Sequence, residues 1–486
     1  MHNSQIDTSI QILSQLAQEH THQSVIRCEP LSLAQSGSHR KYYRITLADG
    51  STRIGAYNDD VAENIAFFSY TRFFTEKHFN VPELIAVASD NQHYLETDLG
   101  STTLYDFLCA NRPDGTPTEA VTRYYDMVAR ALPHLQLSGK EGLDFSVAYP
   151  RAAFDRQSMQ WDLNYFKYYF LKLVNVPFNE QLLENDFNTL MEYLLSADSE
   201  YFLYRDFQAR NIMVHNDDVY FIDYQGGRKG ALQYDVASLL YNARADLSPA
   251  FREHVLNAYL DSLSELIEVD RQAFLSYFQG FVLIRILQSM GTYGYRGYFE
   301  RKTHFLQSIP FAVRNLTGLL NHLSMPIALP ELTRVLRDII ASDFVKPYMP
   351  GQTLTVRVQS FSFKKAIPND PSPNGGGFVF DCRALPNPGR EPRYKTFTGK
   401  DQCVIDYLNQ FPAIHEFKSH LFAIVDQSVD NYLERHFDHL MVSFGCTGGQ
   451  HRSVFFAEQT ARHIREKYPE VNIILKHTEQ EYTLYQ

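Results

Sequence analysis

At 486 residues the chain is long enough for two or three domains with real cores, and 44% hydrophobic with 21% charged residues is the balance of a soluble globular protein. The formal net charge is −11, and the acidity lies before residue 351, while the remainder is near neutral. An acidic front half lacks the basic footprint that duplex nucleic acid requires. The five cysteines, Cys28, Cys109, Cys382, Cys403 and Cys446, are scattered and contain no CxxC pair. That argues against a disulfide framework or structural zinc and suits a reducing compartment. Met1 to Gln5 lacks the basic and apolar regions of a signal peptide, and no uninterrupted apolar run of spanning length follows. The expectation is a cytoplasmic protein without a membrane partner.

Residues 6–18 carry apolar positions at helical spacing and predict an opening helix. Leu33 to Ile45 reads as a small-residue loop feeding a strand. Backbone N–H groups around Ser36, Gly37 and Ser38, with Arg40 following, are suited to ATP phosphates, although one glycine also fits a plain hairpin turn. Arg53 to Asn58 is the next predicted strand, and it lacks the lysine that kinases place there to hold phosphate. Glu63 opens a helix, where a first-turn acid is favoured by the dipole alone. Tyr94 to Gly100, containing Glu96, reads as a connection between lobes whose backbone would meet adenine. From Leu104 to about Leu320 the pattern is mainly helical. Arg151 to Lys172 forms an aromatic amphipathic stretch, in which Asp162, Asn164 and Lys167 either meet a sugar or belong to ordinary helix packing.

The stretch from Leu203 to Gln225 places two carboxylates and a carboxamide around a predicted β-hairpin, Ile212 to Val214 and Val219 to Ile222, with Asn216-Asp217-Asp218 as its turn. Such a hairpin folds Asp223 back towards Asp206 and Asn211. In a kinase, Asp206 would take the proton of the substrate hydroxyl, and Asn211 with Asp223 would hold Mg2+ on the ATP phosphates. The spacing Arg205-Asp206-x4-Asn211 followed by Asp223, with Asp235-Val236-Ala237-Ser238-Leu239 downstream, resembles the aminoglycoside phosphotransferase and choline kinase superfamily. Ser36-Gly37-Ser38-x-Arg40-x-Tyr42-Tyr43-Arg44 and the Gln225 that follows Asp223 by two resemble its N-acetylmuramate and N-acetylglucosamine kinase branch. The resemblance implies ATP-dependent phosphorylation of a small amino-sugar in cell-wall recycling, with Asp235 bracing the catalytic loop. The family's usual His two residues before the catalytic Asp is Tyr204 here. The missing strand lysine also fits a second reading, a regulatory binding protein with an inactive kinase half.

Residues 326–352, with prolines at 326, 330, 347 and 350, read as a linker enclosing one short helix. The last domain opens with a strand from Leu354 and contains a flexible loop, Pro368 to Gly377. Near its end a strand from Leu440 runs into Cys446-Thr447-Gly448-Gly449-Gln450-His451-Arg452-Ser453 and then a helix. Free N–H groups, the positive end of the helix dipole and Arg452 make an anion cradle there. Cys446-x5-Arg452 is also the spacing of a cysteine-phosphatase loop, for which Asp381 is a candidate acid.

Ser360-Phe361-Ser362-Phe363-Lys364-Lys365, Phe378 to Pro388, Thr398-Gly399-Lys400-Asp401 and the Cys446 to Ser453 loop together resemble the C-terminal domain of the RapZ RNase adapter family. That resemblance implies a sugar-phosphate effector held by Thr447, Gly448, Gly449, His451 and Arg452, with Asp381, Arg383 and Asn387 around the amino-sugar. RNA is not favoured as a partner, because the chain ends without the basic tail of RNA-binding members. The expected fold class is α/β (α+β): a bilobal protein-kinase-like fold followed by a smaller α/β domain. Its expected parts are an N-lobe over 1–98, a helical C-lobe over 99–325, a linker over 326–352 and the last domain over 353–486.

Overall fold

The computed structural model describes residues 2–31, 40–300, 302–342, 344–345, 354–370, 377–434, 437, 439–480 and 482–485. Ser36, Gly37 and Ser38, and most of the loop between Pro368 and Gly377, lie outside them. Two compact units emerge, the first formed by Met1–Gly294 with Phe311–Asp338, the second by Tyr295–Pro310 with Ile339–Gln486.

The first unit begins with helix α1 (His2–Thr21) against an antiparallel sheet of β1 (Val25–Pro30), β2 (Lys41–Leu47), β3 (Thr52–Tyr57), β4 (Leu84–Val87) and β5 (His93–Thr97), in the order β1-β2-β3-β5-β4. Leu13, Leu16 and Ala17 of α1 pack with Tyr43, Ile45 and Leu95. Helix α2 (Val61–Glu76) is capped by Asp60, whose side chain accepts from the N–H of Glu63. Its aromatic face joins the sheet to the catalytic segment. Phe67 lies 5.2 Å from Tyr94 and 5.4 Å from Tyr224 between ring centres, and Phe74 lies 5.2 Å from Phe202.

Helices α3 (Leu104–Ala110), α4 (Glu119–Ser138), α5 (Arg156–Phe166) and α6 (Glu180–Leu195) lead to the short strand β6 (Tyr201–Leu203). The hairpin β7 (Ile212–His215) and β8 (Asp218–Phe221) follows, then β9 (Arg228–Gly230), antiparallel to β6. Asn216 and Asp217 have φ of 50° and 62°, the double left-handed conformation of the tight hairpin turn that Asn and Asp tolerate. Helices α7 (Gln233–Leu240), α8 (Pro249–Leu266) and α9 (Arg271–Gly294) follow, with a further helix over Ile309–Asn321. The helical run Arg271–Phe299 is long and apolar enough to cross a membrane by length and composition alone, and 61% of its apolar window is buried in the protein. Helix α10 (Pro330–Ala341) falls in the segment read as a linker. Its first turn is held by α6 and the residue before it: the N–H of Leu332 donates to Asp186 at 2.7 Å, and that of Asn179 donates to Glu331 at 2.7 Å.

The second unit is a mostly parallel sheet. β10 (Thr355–Ser362) lies at its centre, in the order β11-β12-β10-β13-β14. Here β11 is Gly377–Asp381, β12 His439–Cys446, β13 Asn472–His477 and β14 Tyr482–Tyr485, the last antiparallel to β13. Helices α11 (Gln402–Asn409) and α12 (Pro412–Glu434) connect β11 to β12, and α13 (Arg452–Lys467) connects β12 to β13. Val356, Val358, Val442 and Phe444 of the sheet bury with Phe455, Phe456 and Ile464 of α13. Ser362 and Cys446 are register partners, so the carboxyl ends of β10 and β12 open side by side, where open α/β sheets place ligands.

Gly139, at the end of α4, shows how tightly the catalytic strand is seated. A Cβ there would sit 2.6 Å from Cβ and 2.7 Å from the backbone N of Phe202 in β6. Gly139→Ala is expected to destabilise the chain by about 1–3 kcal/mol, because backbone cannot yield as a side-chain tip can. A melting temperature equal to that of the parent chain would refute it.

Candidate functional sites

The catalytic segment hangs on Asp235. This residue of α7 is 0% exposed, and its carboxylate accepts the N–H of Tyr204 at 2.8 Å, the N–H of Arg205 at 3.1 Å and the amide of Gln136 at 3.3 Å. Burial pushes the Asp235 carboxyl up to about 7 against the pull of those donors. Arg205 is thereby held at φ +82°, and its guanidinium forks onto Asp162 at 2.9 and 2.7 Å and lies over the ring of Phe154. Asp162 therefore braces the loop. Lys167 is also spent inside the fold, on Glu180 at 2.7 Å and on Glu184. Of the two readings the sequence left open for these side chains, the structure shows the packing one, since each charge is paired inside the fold.

Asp206 follows Arg205, with its side chain 47% exposed and one carboxylate oxygen 3.3 Å from Arg285 of α9. Its partial withdrawal from water would raise its pKa, but Arg285, with Arg205 and Arg210 behind it, holds the carboxyl below the usual range. The side-chain NH2 of Asn211 donates to the main-chain O of Asp206 at 2.8 Å and to Asp223 at 3.1 Å. This one amide joins all three predicted catalytic residues. Asp223 has φ +68°, and its other oxygen accepts from Gln225 at 2.7 Å. Burial, and then repulsion from Asp206, raise the Asp223 carboxyl. The Tyr204 hydroxyl donates to the carbonyl of Ile222, immediately before Asp223, so this ring braces the end of the hairpin that carries Asp223.

Arg40 enters this centre from the start of β2. Its guanidinium is 3.4 Å from Glu63, which also accepts from Asn58 at 2.7 Å and Gln225 at 3.3 Å. Asp223 is among the charges that favour the cationic form of Arg40. A buried arginine paired with a half-buried glutamate thus stands near Asp223, although β3 carries no lysine. Glu96 lies buried in β5, its carboxyl pushed up to about 7 by burial and drawn back by Arg40. Arg285 is the functional residue that the sequence reading missed; its signal was a single charge inside the apolar run of Phe281 to Met290.

In the second unit a cavity of about 200 Å³ is lined by Asn387, Gly389, Lys395, Cys446, Thr447, Gly448, Gln450, His451 and Arg452. Gly449 turns the loop at φ +67°, where a Cβ would meet Glu479 at 2.3 Å. Arg452 is 4% exposed and donates to the carbonyls of Arg383 and Leu385, both at 2.8 Å. His451 Nε2 bonds the carbonyl of Tyr394 at 2.9 Å. Asp381 and Arg383 do not line the cavity; they form an exposed ion pair at 2.7 Å, with Asp381 also capping the turn at the N–H of Arg383. Lys395 and Gln450 are wall residues that the sequence reading did not single out.

Comparison with known proteins follows the same division. Residues 31–270 match the phosphotransferase enzyme family, and residues 354–481 match the RapZ C-terminal domain. A nucleotide-binding protein of Paracidovorax citrulli is 37% identical over 139 residues, covering 28% of this chain and 46% of its own length. One of Acidovorax sp. is 38% identical over 149 residues, covering 30% and 49%. The chain thus spans about half the length of these curated relatives. Among solved structures, a choline/ethanolamine kinase family protein of Mesorhizobium loti has TM-score 0.45 at 13% identity, covering 70% of this chain and 100% of its own. An ethanolamine kinase of Plasmodium vivax has TM-score 0.42 at 12% identity, covering 60% and 82%. The chain therefore joins a domain of the phosphotransferase enzyme family to a RapZ C-terminal domain.

Proposed function

We propose that the first unit transfers the γ-phosphate of ATP to a hydroxyl of a small amino-sugar, of the N-acetylmuramate or N-acetylglucosamine type, and that the last domain binds a sugar phosphate and regulates this transfer. The observation that carries the first part is the Asn211 amide, which ties Asp206 to Asp223. Its NH2 is spent on those two partners, so its carbonyl oxygen is left as the second metal donor beside the carboxylate.

The donor set suits Mg2+. Asp223 is a half-buried carboxylate beside another negative charge, which a bound cation would relieve. Among the described residues no group of three His, Cys, Asp or Glu is arranged to hold a metal ion. Two protein donors are what Mg2+ takes when phosphates and water fill the rest of its shell. Bound with ATP, the ion would neutralise charge on the transferring phosphoryl group. Asp206 would accept the acceptor's hydroxyl proton, and Arg285 would keep it ionised to do so. Arg40, paired with Glu63, would supply the phosphate-side cation that β3 lacks, which answers the main argument for an inactive kinase half. The amino-sugar class rests on the Ser36 to Arg44 motif and on Gln225.

In the last domain, loop N–H groups at the start of α13, with Arg452, His451 and Lys395 on the walls, suit a phosphate. Asn387, on the cavity wall, would meet the sugar.

Asp206→Ala is expected to lower kcat by about 10²–10⁴-fold with ATP binding kept, and unchanged turnover would remove Asp206 from its role. Arg285→Met removes the nearest cation from Asp206, so the carboxyl should titrate at higher pH. The acid limb of the kcat/KM profile is then expected to move upwards; a limb that stays or moves down contradicts the assignment. For the second site, glucosamine 6-phosphate should raise the melting temperature of the parent chain and leave that of Arg452→Ala unchanged. Equal stabilisation of both would rule out Arg452 as the anion donor.

A further inference from the structure

The cavity at the carboxyl end of β12 contains a group that anion binding alone does not use. Cys446 lines it and is 3% exposed. Its Sγ lies 3.1 Å from the hydroxyl of Ser453, in the first turn of α13. Burial raises the thiol, but the Ser453 hydroxyl, the main-chain N–H groups of Ser453 and Gly449, and Arg452 together hold it below its ordinary value. The second buried cysteine of the domain gives the contrast. Cys382 is 0% exposed, and burial drives its thiol well above the ordinary value. Both cysteines belong to the same buried apolar cluster, but only at Cys446 are N–H and O–H donors turned onto the sulfur, and such donors favour the thiolate.

The surroundings of Cys446 point to a phosphoryl ligand. Arg452 sits six residues on, lines the same cavity and is pinned by two carbonyls through one nitrogen, while its buried Nε has no hydrogen-bond partner. A guanidinium N–H that is buried and unpaired is costly unless an anion completes it. Lys395 adds a second cation to the wall. The cavity, at about 200 Å³, admits a small phosphate monoester.

We propose that Cys446 is a nucleophile and that this cavity hydrolyses small phosphate monoesters through a cysteinyl-phosphate. The inference rests on the reading of the cavity as a phosphate site and adds turnover to it. In the first step the thiolate attacks phosphorus, the S–P bond forms, the P–O bond to the leaving group breaks, and that oxygen takes a proton. In the second step water attacks phosphorus, the S–P bond breaks, and the thiolate and inorganic phosphate are released. His451 is the group placed to give the proton and take it back from the water. Its Nε2 is tied to Tyr394, and its Nδ1 edge faces Gly389 on the cavity wall, where a glycine Cβ would sit 3.5 Å away. Asp381, the acid suggested by sequence, is held ionised by Arg383 and lies off the wall.

The test uses the full chain in EDTA without ATP, which silences metal-dependent transfer by the first unit. p-Nitrophenyl phosphate and glucosamine 6-phosphate are the substrates, and inorganic phosphate release is the readout. Turnover by the parent chain, lowered on the order of 10²-fold or more in Cys446→Ser, is the expected result. His451→Asn should lower the rate on the sugar phosphate more than on the aryl ester, whose leaving group needs no proton. Hydrolysis by Cys446→Ser at the parent rate overturns the proposal. So does absence of hydrolysis in a parent chain whose melting temperature inorganic phosphate raises, an outcome that leaves the anion-binding reading intact. Should Cys446→Ser fail to fold, acid quench of the parent chain during turnover decides by peptide mass. Phosphate on the Cys446 peptide supports the step, and its absence there overturns it.

Discussion

A single buried carboxylate sets the geometry of the first unit's centre. Asp235 accepts the backbone N–H groups of two successive residues, Tyr204 and Arg205, and so fixes the point at which the chain leaves β6. A non-glycine residue at φ +82° costs about 1–3 kcal/mol, which the surroundings must offset. They do so twice over, since the main chain of Arg205 is tied to Asp235 and its guanidinium to Asp162. The strained residue is therefore anchored at both ends, and Asp206 leaves it in a fixed direction. A second left-handed residue, Asp223, is held in the same way, by Asn211 and Gln225 on its carboxylate and by Tyr204 on the preceding carbonyl. Strain thus collects at Asp223 and at the residue immediately before Asp206, beside the two acids on which the chemistry is proposed to fall.

The charges around those acids divide their work. Asp206 and Asp223 repel each other, yet their carboxyls move in opposite directions. The difference lies in the cations. Asp206 has Arg285 within 3.3 Å and three further arginines in range, whereas burial and Asp206 itself dominate at Asp223. Pairs of titratable groups pushed apart in this way mark assigned roles in catalytic centres. On the proposed function the depressed acid would be the proton acceptor, and the raised one would be completed by a cation. Arg228 has its ionisation lowered to about 10 by burial and then by Arg205, so positive charge on that side of the loop is already dense.

What could be read from sequence followed the range of the interactions involved. Asp206, Asn211 and Asp223 were legible because a four-residue strand, a two-residue turn and a second four-residue strand bring them together locally, and Asn216-Asp217 names its own turn. Arg285 was not legible as a partner, since it reaches Asp206 across 79 residues from another helix. Arg40 could be assigned to the nucleotide side by motif, but its pairing with Glu63 depends on how β2 lies against α2. For Asp162 and Lys167 the sequence left a sugar contact and helix packing both open, because spacing cannot distinguish a charge facing a pocket from one facing a partner. Asp381 and Arg383 were misplaced for a local reason: two residues apart, they closed an Asx-type turn on each other.

The second unit solves its geometric problem with backbone. Gln450 donates its side-chain amide to the carbonyls of Lys395 and Phe397, and His451 bonds Tyr394, so the loop before α13 is tied to the segment from 394 to 399. Gly399 makes the closest approach, because a Cβ there would lie 2.2 Å from the carbonyl oxygen of His451 and 2.3 Å from the N of Phe455. This gives a physical role to the Thr398-Gly399-Lys400-Asp401 motif. Its threonine and aspartate bond each other at 3.0 Å, and its glycine lets that closed turn rest directly on the start of the helix. A cradle fixed by neighbouring backbone loses little further freedom when a ligand arrives, so more of the interaction appears as affinity. The same fixity holds donors on the Cys446 sulfur before any ligand binds. A loop that would hold an anion without rearrangement, as proposed, is thereby also one in which a thiolate can stand ready beside it.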